Sequence, residues 1–244
     1  MTATEPSPPG DGRTERPVAV VTGANRGIGR DVARQLAGHG FVVIAGARDP
    51  GQGERTARQL DPAGGTVIAL RLDVTDPAAI EAAARWTADN LGRADVLINN
   101  AAIHYDTWQQ AQNADLGLVR EALDTNLLGA WRTTQAFLPL LRRSAHARIV
   151  NVSSEGGSIS EMTGGTPAYS VSKAALNALT RLLAGELRAD RILVNAVCPG
   201  WTDTDMGPAG RPVAAGAASV MWAALLSDDG PTGGFYRDGQ SLPW

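Results

Sequence analysis

The chain has 244 residues, a formal net charge of −3 and 43% hydrophobic residues, which is enough for one α/β domain with a sizeable core. No apolar run approaches the roughly 20 residues that cross a bilayer, and the basic residues are scattered, so neither a membrane nor nucleic acid is a predicted partner. A lone cysteine, Cys198, and a start without an apolar secretory segment predict a cytoplasmic protein with a small-molecule partner.

The first 16 residues, "MTATEPSPPGDGRTER", are rich in Pro, Gly, Thr and Glu. Such a segment has too little apolar surface to offset the entropy lost on ordering. We therefore expect a disordered tail over residues 1–16 and a single domain over residues 17–244.

From Pro17 onward, short apolar runs alternate with longer helical patterns. Seven runs are candidate strands: "PVAVV", "FVVIA", "TVIALRL", "DVLIN", "RIVNV", "RILVNAV" and "GGFY". The amphipathic stretches between them cover residues 29–37, 77–91, 111–141, 168–187 and 213–226. Strands that are apolar at nearly every position, with helices between them, indicate a parallel sheet covered on both faces. The predicted fold is a single doubly wound, Rossmann-type α/β domain with a mostly parallel seven-stranded sheet.

The first strand leads directly into "VTGANRGIGRDVARQL". Here Gly23, Gly27 and Gly29 lie between strand and helix, where the backbone must turn sharply and a pyrophosphate can approach amides at a helix N-terminus. The alternative is a glycine-rich turn without a ligand. The strand before and the helix after the loop favour a dinucleotide site.

Tyr169 and Lys173 form the strongest catalytic candidate, and Lys173 is the only lysine in the chain. Residues four apart in a helix project from one face, so the two side chains can meet around one reacting group. A neighbouring cation lowers the pKa of a phenol, which predicts a usable general acid/base. The alternative is a solvated helix face that carries an ordinary Tyr and Lys.

Several further motifs occur in one consistent order: "TGANRGIG", "LDV", "NNAA", "TNLLG", "IVNVSS", "YSVSK" and "PGWTDTDM". On these residues the chain resembles the classical short-chain dehydrogenase/reductase family from Val18 to Trp244. Within that family, the "PGWTDTDMGP" segment and the ending "GGFYRDGQSLPW" are most similar to carbonyl reductases.

The resemblance implies hydride transfer between a nicotinamide cofactor and a carbonyl compound or alcohol, with Tyr169 as the proton donor or acceptor. Lys173 is expected to reach the nicotinamide ribose. Ser154, at the carboxyl end of a strand, is expected to hold the substrate carbonyl, and we prefer it to Ser153, whose side chain points to the opposite side of an extended chain. Asn126 is expected to hold a water linked to Lys173.

The preferred cofactor is predicted from the region after the second strand. NAD-binding sheets place an acidic residue there, whereas NADP needs a cation for its 2′-phosphate. Gly46 and Ala47 occupy that place, and Arg48 and Arg26 supply cations, so we expect NADP(H). Asp49 is the counterargument, because a shift of register would favour NAD; we assign it instead to a turn with Pro50. The expected cofactor-binding residues are Gly23, Asn25, Arg26, Gly27, Ile28, Gly29, Arg48, Asp73, Val74, Asn100, Tyr169, Lys173, Pro199 and Thr204.

Two departures from the family pattern bear on the site and on assembly. Ala102 stands where the family commonly has glycine, which predicts a small loop shift near the cofactor. Ser154 and Tyr169 are only 15 positions apart, without the long insertion of monomeric carbonyl reductases. The helices that carry Asn126 and Tyr169 are therefore expected to pair in a homodimer or homotetramer.

The substrate pocket is expected to form from the loops after strands four, five and six. Its candidate walls are His104, Tyr105, Trp108, Met162, Trp201 and Met206, which would suit an apolar or aromatic carbonyl compound. No His or Cys spacing predicts a metal site. Two other functions stay open at this point: an NAD-dependent alcohol dehydrogenase of the same family, and a nucleotide-binding redox sensor without turnover.

Overall fold

The structure is a computed structural model, and it describes residues 15–244. Residues 1–14 of the predicted tail lie outside this range. Within it, the Arg16 guanidinium donates hydrogen bonds to the backbone carbonyls of Gly40 and Phe41, at 2.9 and 3.0 Å. Arg16, the last residue of the predicted tail, therefore already contacts the domain.

One sheet runs through the described residues, with its strands in the order β3-β2-β1-β4-β5-β6-β7-β8. All neighbouring strands are parallel except the last pair. Their bounds are β1 Val18–Thr22, β2 Val42–Ala47, β3 Val67–Arg71, β4 Val96–Asn99, β5 Arg148–Val152, β6 Leu193–Val197, β7 Phe235–Arg237 and β8 Gln240–Ser241. The order reverses between β1 and β4, the place where open α/β sheets bind ligands. The predicted doubly wound fold is confirmed, and the unpredicted eighth strand has only two residues, too few for a sequence pattern.

Helices cover both faces of this sheet. They are α1 Gly27–Gly38, α2 Pro50–Leu60, α3 Pro77–Leu91, α4 Leu116–Ala122, α5 Ala130–Leu141, α6 Pro167–Glu186 and α7 Val213–Ala224. The sequence prediction missed α2, and the turn assigned to Asp49 and Pro50 is wrong. Asp49 is the N-cap of α2: its carboxylate accepts a hydrogen bond from the Gln52 amide at 2.9 Å, and Pro50 occupies the first turn, where its missing N–H costs nothing.

The single helix predicted over residues 111–141 is divided. A short 3₁₀ helix covers Ala111–Asn113, and α4 begins only at Leu116, after Asp115 caps it. A π-helical segment, Leu123–Gly129, then connects α4 to α5 without a break. Such segments are rare and occur frequently at functional sites, and this one contains Asn126.

Hydrogen bonds between polar side chains connect the carboxyl ends of the central strands to α6. Asn99 and Asn151 are neighbours in the β4–β5 register, and the Asn99 amide donates to the Asn151 oxygen at 2.8 Å. The Asn151 amide in turn donates to the Thr180 hydroxyl of α6 at 2.8 Å. Because all of these groups are buried, each bond fixes α6 against the sheet.

Candidate active site

The glycine loop between β1 and α1 is suited to bind an anion. Gly23 and Gly27 have positive φ angles of 64° and 53°, which side-chain-bearing residues rarely adopt. A Cβ on Gly29 would lie 2.4 Å from the Asn100 side chain, so only glycine fits there. The side chain of the N-cap residue, Arg26, makes no capping bond, so among residues 15–244 the first-turn amides of Gly27, Ile28 and Gly29 keep their hydrogens for a bound anion.

A cleft with a volume of about 590 Å³ opens in front of this loop, at the carboxyl edge of the sheet. The structure brings all the residues expected to bind the cofactor to its walls: Gly23, Asn25, Arg26, Gly27, Ile28, Gly29, Arg48, Asp73, Val74, Asn100, Tyr169, Lys173, Pro199 and Thr204. Ala102, the departure from the family pattern, also lines it. A cleft of this size with free amides at one end fits a dinucleotide.

Tyr169 and Lys173 lie one turn apart on α6 and face the same cleft. Tyr169 is 8% exposed and Lys173 is 2% exposed. The Lys173 Nζ donates to the backbone carbonyl of Val152, at the end of β5, at 2.7 Å and lies 5.6 Å from the centre of the Tyr169 ring. The ammonium is thus held by the sheet and stays close to the phenol.

The pKa values of this pair differ from the sequence prediction. Burial raises the pKa of Tyr169 above its ordinary value, although the hydrogen bond with Ser154 opposes the rise. The expected lowering of the Tyr169 pKa is therefore wrong, because burial disfavours the charged phenolate. Burial also lowers the pKa of Lys173 to about 8, so that lysine remains mostly charged at neutral pH. The phenol is accordingly protonated at neutral pH, the state from which a proton can be donated.

Ser154 and Ser153 face different surroundings, as expected. The Ser154 side chain is hydrogen-bonded to Tyr169 and also accepts from the Gly156 amide at 3.1 Å. Ser153 is buried and donates to the Asn177 side chain of α6 at 2.6 Å. The hydroxyl beside the phenol therefore belongs to Ser154, although Ser153 and not Ser154 lines the cleft described above.

Asn126 lies behind the cleft, in the π-helical segment. Its side-chain oxygen accepts from the Ile103 amide at 2.8 Å, and its amide donates to the Ile103 carbonyl at 3.1 Å and to the Ser172 hydroxyl at 2.9 Å. Ser172 donates to the Tyr169 carbonyl at 2.7 Å. The Asn126 side chain thus joins the loop after β4 to α6, and its link to Lys173 through water stays a prediction.

The two arginines near the expected phosphate have different partners. Arg26 is 66% exposed at its side chain and forms a 2.8 Å ion pair with Asp205, on the loop after β6. Arg48 is exposed, lines the cleft and has no hydrogen-bond or ion-pair partner within residues 15–244. Asp49 does not line the cleft, since its carboxylate caps α2.

Of the six residues expected to form the substrate pocket, only Met206 lines the cleft. Tyr105 packs its ring against Tyr169, at a centroid distance of 5.2 Å, and against Trp201, at 5.3 Å. His104 pairs with Glu121 at 2.9 Å. Trp108 and Met162 are exposed.

Three residues near the site escaped the sequence prediction. Asp106 is fully buried and contacts the start of α6. Gly157 packs so closely on α6 that a Cβ would lie 2.7 Å from the Lys173 backbone, and the Asn177 amide donates to the Gly157 carbonyl at 3.1 Å. The glycine pair in "SSEGGS" was the available signal for Gly157, whereas Asp106 and Asn177 belong to no local pattern.

Within residues 15–244, no group of three or more His, Cys, Asp and Glu side chains is arranged to hold a metal ion. None of the helices in that range combines the length and the apolar character needed to cross a bilayer.

Comparisons with known proteins agree with this geometry. The model of the short chain dehydrogenase family matches residues 17–212. Short-chain dehydrogenase/reductase 1 of Saponaria officinalis is 33% identical, over 93% of this chain and 95% of that protein. Carbonyl reductase [NADPH] 1 of Mus musculus is also 33% identical, over 95% of this chain and 99% of that protein.

Among solved structures, NADPH-bound carbonyl reductase from chicken fatty liver matches with a TM-score of 0.84 and 32% identity, over 95% of this chain and all of the other. The alignment with the mouse enzyme extends over 285 positions, more than the 244 residues present here, so that relative contains insertions. The chain belongs to the short-chain dehydrogenase/reductase family and is an oxidoreductase of that family, which uses a nicotinamide cofactor.

Proposed function

We propose that this protein is an NADP(H)-dependent carbonyl reductase in which Tyr169 is the general acid. The observation that carries the proposal is the burial of Tyr169 and Lys173 side by side on one wall of the cleft, with the Ser154 hydroxyl on the phenol. A solvated helix face would leave these side chains exposed and would need no such serine.

The nicotinamide, when bound, supplies a hydride to the carbonyl carbon of the substrate. On the protein side, the substrate oxygen would lie between the hydroxyls of Ser154 and Tyr169. Ser154 donates a hydrogen bond to that oxygen as negative charge develops on it. Tyr169 gives the oxygen its proton, and burial keeps the phenol protonated until that moment.

Lys173 stabilises the tyrosinate that remains after proton transfer. Its ammonium is fixed by the Val152 carbonyl and shielded from water, so its attraction for the phenolate oxygen is stronger than at a surface. We assign the return of a proton to Tyr169 to a relay of Lys173, a water and Asn126. Oxidation of an alcohol follows the same path in reverse, with Tyr169 as the base.

The choice of NADP(H) rests on the charges around the second strand. Arg48 is exposed at the cleft and has no partner in the described part of the chain, and Arg26 lies nearby in the glycine loop. Asp49, the residue that would favour NAD, already has its carboxylate on the first turn of α2. The chicken relative is described as NADPH-bound, and the mouse relative is named as an NADPH enzyme. Asp73, Val74, Asn100, Pro199 and Thr204 would contact the rest of the nucleotide.

A homodimer or homotetramer is also proposed. Leu128 and Trp131 are 38% exposed near the start of α5, and Val171 and Leu182, eleven residues apart on one face of α6, are 46% and 56% exposed. An apolar face of this kind favours pairing with another subunit. Sedimentation of the protein at micromolar concentration would contradict this assignment if it detected only a monomer.

The activity is tested by following NADPH absorbance with a panel of ketones, aldehydes and quinones, with NADH in a parallel series. We expect oxidation of NADPH by at least one class of carbonyl compound. Tight NADPH binding without turnover on any substrate would favour the redox sensor, and turnover mainly with NADH would favour the NAD-dependent dehydrogenase.

A further inference from the structure

The helix that carries Tyr169 and Lys173 begins without a cap from its own residues. Thr166, the residue before α6, has a left-handed backbone with φ 45°, and its hydroxyl is bonded to the Ser170 hydroxyl at 2.9 Å rather than to a backbone amide. Pro167 has no N–H. The amides of Ala168 and Tyr169 therefore need an acceptor from elsewhere in the chain.

Asp106, on the loop after β4, supplies both acceptors. One carboxylate oxygen accepts from the Ala168 amide at 2.9 Å and from the Gln109 side-chain amide at 3.0 Å, and the other accepts from the Tyr169 amide at 3.1 Å. Asp106 is 0% exposed. A carboxylate at a helix N-terminus is stabilised by the backbone amides and the helix dipole, which is why a buried charge is tolerated here.

The residue next to Asp106 contacts the same tyrosine. Tyr105 packs edge-on against the Tyr169 ring, at 81° between the ring planes. Two consecutive residues thus fix Tyr169. Asp106 accepts a hydrogen bond from the Tyr169 backbone amide, and Tyr105 packs against the Tyr169 ring. The loop itself is fixed at its start, because Asn126 bonds to both backbone groups of Ile103.

We propose that Asp106 is a positioning residue for the proton transfer: it sets the first turn of α6 so that the Tyr169 hydroxyl meets the substrate oxygen beside Ser154. This inference rests on the proposed role of Tyr169. Misplacement of a reacting group by about 1 Å can lower a rate about 100-fold. A helix cap can therefore control turnover although it does not touch the substrate.

The test compares Asp106→Ala with Asp76→Ala. Asp76 caps α3 with the same chemistry, since its carboxylate accepts from two helix amides, Ala78 and Ala79, at 3.0 and 3.3 Å. Both variants lose a cap, but only one cap belongs to the helix of Tyr169. The kcat is normalised to the number of NADPH-binding sites, so that loss of folded protein does not affect it.

We expect Asp106→Ala to lower kcat about 10- to 100-fold, with KM for the ketone and Kd for NADPH changed less than about threefold, because the group acts on the reacting geometry alone. Asp76→Ala should keep the wild-type kcat while lowering the melting temperature. A wild-type kcat per NADPH site in Asp106→Ala would overturn the proposal. If Asp106→Ala does not fold, Asp106→Asn replaces it: a kcat at least about threefold lower supports the role, and a smaller change overturns it.

A double variant distinguishes this inference from the function on which it rests. If Asp106 acts through Tyr169, adding Asp106→Ala to Tyr169→Phe should lower kcat by less than about twofold further, because the positioned group is already missing. Full additivity would contradict the proposal. If Tyr169→Phe alone has wild-type turnover, the proposed function fails; if it is inactive while the Asp106 variants are normal, only the positioning role fails.

Discussion

The cleft has positive charge in two places, and the protein surrounds them differently. Lys173 is 2% exposed, bonded to a strand carbonyl and lies on a helix held by several buried bonds. Arg26 and Arg48, at the other end of the cleft, are exposed, and Arg48 has no partner among the described residues. The charge of Lys173, the proposed catalytic lysine, is thus fixed and shielded from water, whereas the charges of Arg26 and Arg48, the proposed phosphate contacts, are exposed to solvent.

Because of this difference, we expect substitutions in the two places to change different kinetic quantities. Changes at the buried pair should act on kcat, since the geometry and solvation of the reacting groups are set there. Changes at the exposed arginines should act on cofactor affinity. Substitutions in each place test this separation.

Tyr169→Phe removes the proton donor and keeps the ring that packs against Tyr105. We expect kcat to fall about 100- to 10,000-fold, the range for loss of a general acid, with NADPH affinity within about twofold of wild type. Steady-state kinetics and fluorescence titration with NADPH measure the two quantities. Turnover close to wild type would show that another group donates the proton.

Lys173→Arg keeps the charge and changes its shape. Lys173 is buried, and an arginine cannot place a compact ammonium at the Val152 carbonyl, so kcat should fall about 100-fold. The matched control is Arg85→Lys on α3, an exposed exchange in the opposite direction, which should leave kcat unchanged. Equal activity of the two variants would show that only net charge matters at position 173.

Arg48→Ala should act on the cofactor alone. Loss of a charge-assisted bond to the 2′-phosphate should raise KM for NADPH about tenfold or more and leave KM for NADH and both kcat values nearly unchanged. Arg58→Ala is the control: Arg58 is an exposed arginine of α2 that pairs with Glu54 and does not line the cleft. A rise of both KM values in Arg48→Ala would contradict a phosphate contact.

The sequence predicts the parts of the molecule that depend on short spacings. The β1–α1 glycine loop and the four-residue spacing of Tyr169 and Lys173 fix local geometry, so the sequence alone predicts a tight turn after β1 and two side chains on one face of α6. Burial is a property of the whole fold, and the direction predicted from the sequence for the pKa of Tyr169 was therefore wrong.

Contacts between residues far apart in the chain could not be predicted from the sequence either. Asp106 bonds to residues 62 and 63 positions away, and it lies in a loop without periodicity. Helix α2 was missed because its start, "PGQG", is typical of a turn, although Asp49 before it is a common N-cap residue. Of the predicted substrate walls, Met206 lines the cleft, whereas Tyr105 and Trp201 pack on one another instead, a contact between two loops that no local pattern predicts.

The pH profile of kcat/KM for NADPH tests the central claim, that a protonated phenol works beside a buried charged lysine. This ratio reports the free enzyme. The pKa of Lys173 is lowered to about 8, so the required ammonium is present below pH 8 and is lost as pH rises, while the raised pKa of Tyr169 keeps the phenol protonated throughout. We predict a fall of about tenfold per pH unit above pH 8, absent in Lys173→Arg because arginine stays charged. A flat profile from pH 7 to about 10, or the same fall in both proteins, would contradict the account.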